Sequence, residues 1–169
     1  MPVSTASRRR VIAATGFAAA ALPLLFACGG GAVEARKQRN FRVSKTDAQW
    51  RRELTRAEYR ILREAGTERA YSSPLNDEKR RGVFACAGCG NRLYSSAHKY
   101  DSKTGWPSFW QPIDDGAVGT AVDYKIGLPR TEVHCADCGG HLGHIFGDGP
   151  RPTGKRHCIN GTALDFIPA

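Results

Sequence analysis

The chain has 169 residues, 41% of them hydrophobic, with 25 Lys and Arg against 16 Asp and Glu and a formal net charge of +9 at pH 7. That is apolar material for one ordinary core, and nothing in the length demands two full domains. Arg8, Arg9 and Arg10 are the only charges in residues 1–27, so removing them takes +9 to +6; a solvated basic surface accounts for the rest, and no nucleic-acid partner is called for.

Residues 1–28 read as an export signal, a basic start at Ser7-Arg8-Arg9-Arg10 followed by an apolar run that ends at Phe26-Ala27-Cys28. The paired arginines resemble a twin-arginine signal, which serves proteins that fold before crossing a membrane. Val11 to Ala27 gives 17 residues that include Thr15, Gly16 and Pro23, short and weak for a span needing about 20 strongly apolar residues. Leu25-Phe26-Ala27-Cys28 also resembles a lipoprotein processing site, although the large Phe26 is atypical there; cleavage after Val33-Glu34-Ala35 is the alternative. The expectation is a protein exported to the periplasm or cell envelope of a bacterium, attached to membrane only through a lipid on Cys28. Gly29-Gly30-Gly31 and the basic segment 36–42 then make 29–45 a flexible tether, and 46–169 the catalytic domain.

From Thr46 to Gly66 the apolar residues Trp50, Leu54, Tyr59, Ile61 and Leu62 recur at helical spacing among Arg and Glu. Thr46 or Asp47 caps a first short helix, Thr55 with Glu58 forms a capping box for a second, and Gly66 ends it. After Pro74 the chain turns rich in Gly, Pro and aromatics, with strands expected at 82–85, 121–124, 131–134 and 164–167. This is an antiparallel, mainly β pattern. No Gly-rich phosphate loop follows a strand, so a nucleotide cofactor is unsupported.

Cys86-Ala87-Gly88-Cys89 and Cys135-Ala136-Asp137-Cys138 are two C-x-x-C units 45 residues apart, each with glycine at or just after the turn. Such a turn sets two sulfurs on one side of a tight loop, and two facing loops make a closed tetrathiolate site for one structural zinc. Disulfides or redox-active pairs are the competing reading. A metal held by four thiolates has no open position, so it acts as a staple.

One cysteine remains outside the knuckles and the leader. Cys158 follows Lys155, Arg156 and His157, cations that favour the nucleophilic thiolate. A buried structural cysteine is the bland alternative. A second alternative makes Cys158 a metal ligand with His141 and His144, which lie three apart in a Gly-rich segment.

From about Thr46 to Phe166 these features, together with Leu54-Thr55-Arg56-Ala57-Glu58-Tyr59, Gly105-Trp106-Pro107-Ser108-Phe109, Arg130-Thr131-Glu132-Val133, His141-Leu142-Gly143-His144-Ile145-Phe146-Gly147-Asp148-Gly149-Pro150 and Arg156-His157-Cys158-Ile159-Asn160, resemble the B-type methionine sulfoxide reductases. The resemblance implies two antiparallel sheets forming a tent or barrel-like core with short N-terminal helices and a structural zinc. It implies reduction of methionine-R-sulfoxide, in oxidised proteins or free, with Cys158 as nucleophile. His141, His144 and Asn160 would then line the site and organise bonds to the sulfoxide oxygen, with His144 as proton donor. Trp106 would shape a pocket for the substrate methyl group, and Phe109, Asp148 and Arg156 belong to the substrate side. A sulfoxide sulfur is electrophilic only when its oxygen is protonated or strongly hydrogen-bonded, so a thiolate and an acid must act together.

Two positions depart from the family pattern. Thr104 stands where many members carry a resolving cysteine, so the sulfenic acid left on Cys158 is expected to be reduced by an external thiol, a thioredoxin-like protein or a small reductant. Gly161 replaces a common serine, which is expected to loosen the local hydrogen bonds. A zinc-ribbon nucleic-acid module and a thiol-disulfide oxidoreductase are the competing functions.

Overall fold

The computed structural model describes Met1 and residues 40–169; the segment read as an export signal, Cys28 and most of the segment read as a tether lie outside them. No helix among the described residues is long and apolar enough to cross a membrane. Residues 40–45, the end of the segment read as tether, lie against the second knuckle. Val43 N–H donates to the Asp137 carbonyl oxygen at 2.8 Å, Arg42 pairs with the Asp137 carboxylate, and the Phe41 ring meets His134 edge-on at 5.9 Å.

Two short helices follow, α1 (Asp47–Glu53) and α2 (Arg56–Leu62), each opened by a complete capping box: Thr46 with Gln49, and Thr55 with Glu58. Each box satisfies two backbone donors that a helix start leaves unpaired, which matters for helices of only seven residues. Helix α2 closes differently from expectation. The left-handed residue is Ala65, with φ 51°, while Gly66 N–H reaches back to the Arg60 carbonyl oxygen at 2.9 Å. Trp50, Tyr59, Ile61 and Leu62 turn inward. Leu62 lies over both knuckles, where a Cβ on Gly88 or Gly140 would come within 3.3 or 3.0 Å of its methyl groups.

The remainder is mainly β, in two antiparallel sheets. The smaller has the order β2 (Arg92–Ser95), β1 (Gly82–Cys86), β9 (Leu164–Pro168). The larger runs β3 (Lys99–Tyr100), β4 (Ser108–Phe109), β8 (Arg156–Ile159), β7 (His141–Phe146), β6 (Arg130–Cys135), β5 (Val118–Asp123). β3 and β5 are the edges of that sheet and do not pair, so the barrel half of the expectation is corrected: the sheets are open. Strands β1, β5, β6 and β9 overlap the predicted ones. β7 is not among the expected strands; it is buried through its first four residues, which hides the alternation that marks a half-buried strand.

Between the sheets, Tyr94 stacks on Phe109 with centroids 4.4 Å apart, and Phe84 meets Phe109 edge-on at 5.0 Å. All three are fully buried. Burying each ring stabilises the fold by roughly 1.5–3 kcal/mol. Because successive side chains on a strand alternate faces, fixing Phe109 and His157 inward on adjacent strands turns Ser108 and Cys158 to the other face.

Candidate active site

At the knuckle end the four sulfurs of Cys86, Cys89, Cys135 and Cys138 lie within 4.8 Å of one another. The short contacts run between knuckles, Cys86 to Cys138 at 3.7 Å and Cys89 to Cys135 at 3.5 Å. A tetrahedral ion with metal–sulfur bonds near 2.3 Å sets sulfurs about 3.8 Å apart, so the four thiols fit one metal ion. All four cysteines are free, so neither C-x-x-C pair is a disulfide. Gly139, at φ 67°, lets the second knuckle turn, and its missing Cβ makes room for Phe41, whose ring would lie 2.2 Å from it. Asn91 Nδ2–H donates to the Cys135 sulfur at 3.5 Å, a contact suited to a thiolate.

The second candidate site is a row across the larger sheet. Cys158 on β8 pairs with Ser108 on β4 and, on its other side, with His144 on β7, which pairs with Glu132 on β6. Directly opposed residues project from the same face, so the row brings a thiol, an imidazole and a carboxylate together from chain positions far apart. Gly143 permits the close approach of β7 and β8: a Cβ there would stand 2.0 Å from the Cys158 carbonyl oxygen.

Both histidines are held by carboxylates. His144 Nε2 bonds to Asp123 Oδ2 at 2.7 Å, and His141 Nδ1 bonds to Glu132 Oε1 at 2.6 Å. Their rings meet edge-on at 5.3 Å. Burial pushes the Asp123 carboxyl up, yet bonds from Lys125 N–H, His144 and Arg130 outweigh it and hold its pKa at about 2. Burial lowers the His144 pKa, against the pull of Asp123.

Of the three cations expected to ionise Cys158, only Arg156 acts in that direction. Two residues before Cys158 on the same strand, it shares its face, and its charge and a hydrogen bond favour the thiolate. His157, one residue away, points into the core, where its Nδ1 meets the Tyr94 hydroxyl at 3.1 Å. Burial, aided by Lys155, lowers its pKa to about 4, so it is neutral. The Cys158 thiol itself is raised by burial, with Arg156 and the Thr104 hydroxyl opposing. The expectation of a thiolate favoured by its cationic neighbours is thus corrected: adjacency along a strand puts His157 on the wrong face.

Thr104 stands 4.0 Å from the Cys158 sulfur and begins a hydroxyl chain through Ser102 at 2.8 Å to Ser108 at 2.7 Å. Arg156 holds Asp148 by two bonds of 2.9 and 2.8 Å and lies 4.4 Å over the Phe146 ring. Trp106 is fixed by Nε1–H donating to the Glu68 carbonyl oxygen at 3.3 Å. It lines a cavity of about 220 Å³ with Tyr71, Tyr100 and Pro107. The preceding Gly105, at φ 91°, packs where a Cβ would sit 2.8 Å from the Tyr71 ring. A larger hollow of about 530 Å³ between Arg81, Arg92 and Ile167 lies on the smaller sheet and is lined by none of the residues of the row.

Two expected site residues stand elsewhere. Phe109 is in the core between Tyr94 and Phe84, not beside Cys158. Asn160 is buried, its Oδ1 accepting from Glu68 N–H at 3.0 Å and its Nδ2–H donating to the Leu142 carbonyl oxygen at 2.9 Å. It ties the end of β8 to the segment behind Trp106. Nor is the loop at Gly161 loosened. Gly161 N–H donates to Glu68 Oε1 at 2.6 Å, Thr162 adds two bonds to the same carboxylate, and a Cβ on Gly161 would lie 2.0 Å from Ser73 Oγ. Ser73 fills the space a side chain at 161 would need. Sequence reasoning passed over Tyr100, Ser108 and Glu132, which only strand register brings to the row, and Asp123, which pairs with Arg130 and reaches His144 through its side chain, although it sat inside a predicted strand.

The SelR domain family matches residues 54–168. The chain is 52% identical over 127 residues to a peptide methionine sulfoxide reductase MsrB of Leptospira interrogans, covering 75% of this chain and 97% of that protein. It is 51% identical over 129 residues to one from Leifsonia xyli, covering 76% and 93%. A third, from Thiobacillus denitrificans, is 52% identical over 124 residues, covering 73% and 94%.

Proposed function

Because the chain belongs to the SelR domain family, we propose that it is a peptide methionine sulfoxide reductase that reduces methionine-R-sulfoxide to methionine, with Cys158 as its nucleophile. The observation that carries the reading is the cross-strand row, which sets the Cys158 thiol beside His144, itself held by Asp123. Neither a zinc ribbon nor a C-x-x-C oxidoreductase requires that row.

In the reaction the Cys158 thiolate attacks the sulfoxide sulfur. The sulfur–sulfur bond so formed is transient: it breaks as the oxygen leaves the substrate sulfur and bonds to the Cys158 sulfur, and a proton ends on the resulting sulfenic acid. The substrate sulfur gains two electrons and the Cys158 sulfur loses two. The proton reaches the oxygen from the His144 side, where Asp123 orients the ring and opposes, without overcoming, the lowering of its pKa by burial. His141, fixed by Glu132, supports the same side. Arg156, steadied by Asp148, favours the attacking thiolate. Trp106 offers the apolar wall for the methyl group. Two external thiols then return Cys158 to the thiol, leaving as a disulfide and releasing water; Thr104 in place of a cysteine supports a donor outside the chain, thioredoxin-like or small.

The metal of Cys86, Cys89, Cys135 and Cys138 is read as zinc, since an all-thiolate tetrahedral set suits that ion. When bound it supplies folding stability alone. The twin-arginine-like leader supports export to a bacterial envelope, with Cys28 as the residue to examine for a lipid.

The test is turnover of separated R and S epimers of a peptide methionine sulfoxide with dithiothreitol as donor, by the wild-type protein and Cys158→Ser. Turnover of the R epimer alone, lost in the variant, is expected. A folded, metal-loaded protein that reduces neither epimer would sink the assignment.

A further inference from the structure

Among the described residues, two buried side-chain nitrogen or oxygen atoms have no hydrogen-bond partner: the Tyr100 hydroxyl oxygen and Arg130 Nε. Buried polar groups are nearly always paired, so each calls for a reason. The Arg130 guanidinium already holds Asp123 through its NH2 group at 2.6 Å. Tyr100 has only the hydroxyl.

Its place in the sheet is informative. Tyr100 on β3 pairs with Ser108, and Ser108 pairs with Cys158. The row therefore runs Tyr100, Ser108, Cys158, His144, with Tyr100 and His144 on opposite flanks of the thiol. Tyr100 shares the Trp106 cavity and lies within electrostatic reach of Arg156, Asp148 and Cys158. Burial raises its pKa against the pull of Arg156, so at neutral pH the phenol keeps its proton and remains a donor. The hydroxyls nearer Cys158 are already engaged: Ser108 donates to the Trp106 carbonyl oxygen at 3.1 Å, and Thr104 bonds to Ser102.

We propose that the Tyr100 hydroxyl donates a hydrogen bond to the sulfoxide oxygen as Cys158 attacks, which makes it a catalytic residue on the flank opposite His144. This rests on the reductase reading and adds a second donor to it. As the oxygen passes from the substrate sulfur to Cys158, the bond from Tyr100 disperses the negative charge on it. The phenol keeps its proton, so the balance of the step is unchanged.

Tyr100→Phe removes that one oxygen. The expected result is a roughly 100- to 1,000-fold lower kcat on the R epimer with KM little changed, the scale of losing one donor to a developing oxyanion. The thermal midpoint should hold or rise, because the deleted hydroxyl has no partner in the resting protein. The pH dependence of Cys158 alkylation by iodoacetamide should be the same in both proteins. Wild-type kcat in the variant overturns the proposal, as does a loss of kcat that follows a fall in thermal midpoint or a displaced alkylation profile. A wild-type protein that turns over neither epimer fails the reductase reading and this inference with it; an active wild type matched by an equally active variant removes this inference alone.

Discussion

At the knuckle end, four ligands come from two stretches of four residues, and each pair is closed by its own turn, with Gly90 N–H on the Cys86 carbonyl oxygen and Gly139 N–H on that of Cys135. At the Cys158 face, the working side chains come one or two at a time from six strands, and nothing local in the chain joins them. The first site has to be brought together once, and a metal bound there would then hold it. The second is only as accurate as the register of the sheet, which is why the core beneath it is aromatic, fully buried and paired strand to strand. Stability and chemistry are thereby separated within one small domain.

The sharpest way to break that separation is to remove one sulfur from each site. Cys135→Ser should lose the metal and most of the folding free energy, since a structural zinc contributes on the order of 10 kcal/mol to a small domain. A melting scan with metal analysis checks it. Cys158→Ser should keep one metal per chain and melt within a few degrees of the wild type while turnover vanishes. A Cys158→Ser protein that also sheds metal would mean that the two sites are coupled.

A smaller effect lies beneath the row. His157 is neutral in the folded core with a pKa of about 4, against an ordinary value near 6.5, so the unfolded chain takes up a proton that the folded one refuses. The stability this confers is complete above about pH 6.5 and is lost as pH falls toward 4, a difference of about 3 kcal/mol over that window. His157→Gln, which retains an acceptor for the Tyr94 hydroxyl, should flatten this dependence in urea titrations between pH 7.5 and 4. Taking the difference from wild type cancels the acid release of metal common to both. An equal slope in the two proteins would show that His157 does not carry it.

The two regions differ in how far they could be read from the chain. Both knuckles and both capping boxes are local patterns, and Cys86, Cys89, Cys135 and Cys138 do converge. Strands β3 and β4 have two residues each and no period to detect. β7 hides its alternation because Gly143 interrupts it and both faces of its first four residues are buried. Without β4 and β7, Phe109 could not be assigned a face, and Tyr100, Ser108 and Glu132 had no visible connection to Cys158. Cys158 could be singled out as a candidate by subtraction; its environment could not be read, because charge counted along the chain treats Lys155, Arg156 and His157 alike, whereas a strand admits one of them to the face of Cys158.

Arg156 gives the mildest and most specific test of that last point. Burial holds the Cys158 thiol above its ordinary pKa, and the guanidinium opposes this by charge and hydrogen bond. Below the thiol pKa the thiolate fraction grows tenfold per pH unit, so kcat/KM for the R epimer should climb from pH 7 toward 9. Arg156→Met removes the opposing charge and leaves Asp148, which is largely exposed, to solvent. The thiol pKa then rises further and the climbing limb moves to higher pH, and every pH unit that it moves costs about tenfold in rate at pH 7. The two curves should converge once both thiols are ionised. Arg156→Lys should recover part of the lost rate and His157→Gln should leave the limb where it is in the wild type, since only residue 156 shares the face of Cys158. Iodoacetamide alkylation of Cys158 across the same range reads the pKa directly, and a loss in Arg156→Met that is constant at every pH would assign Arg156 to substrate binding instead of thiol ionisation.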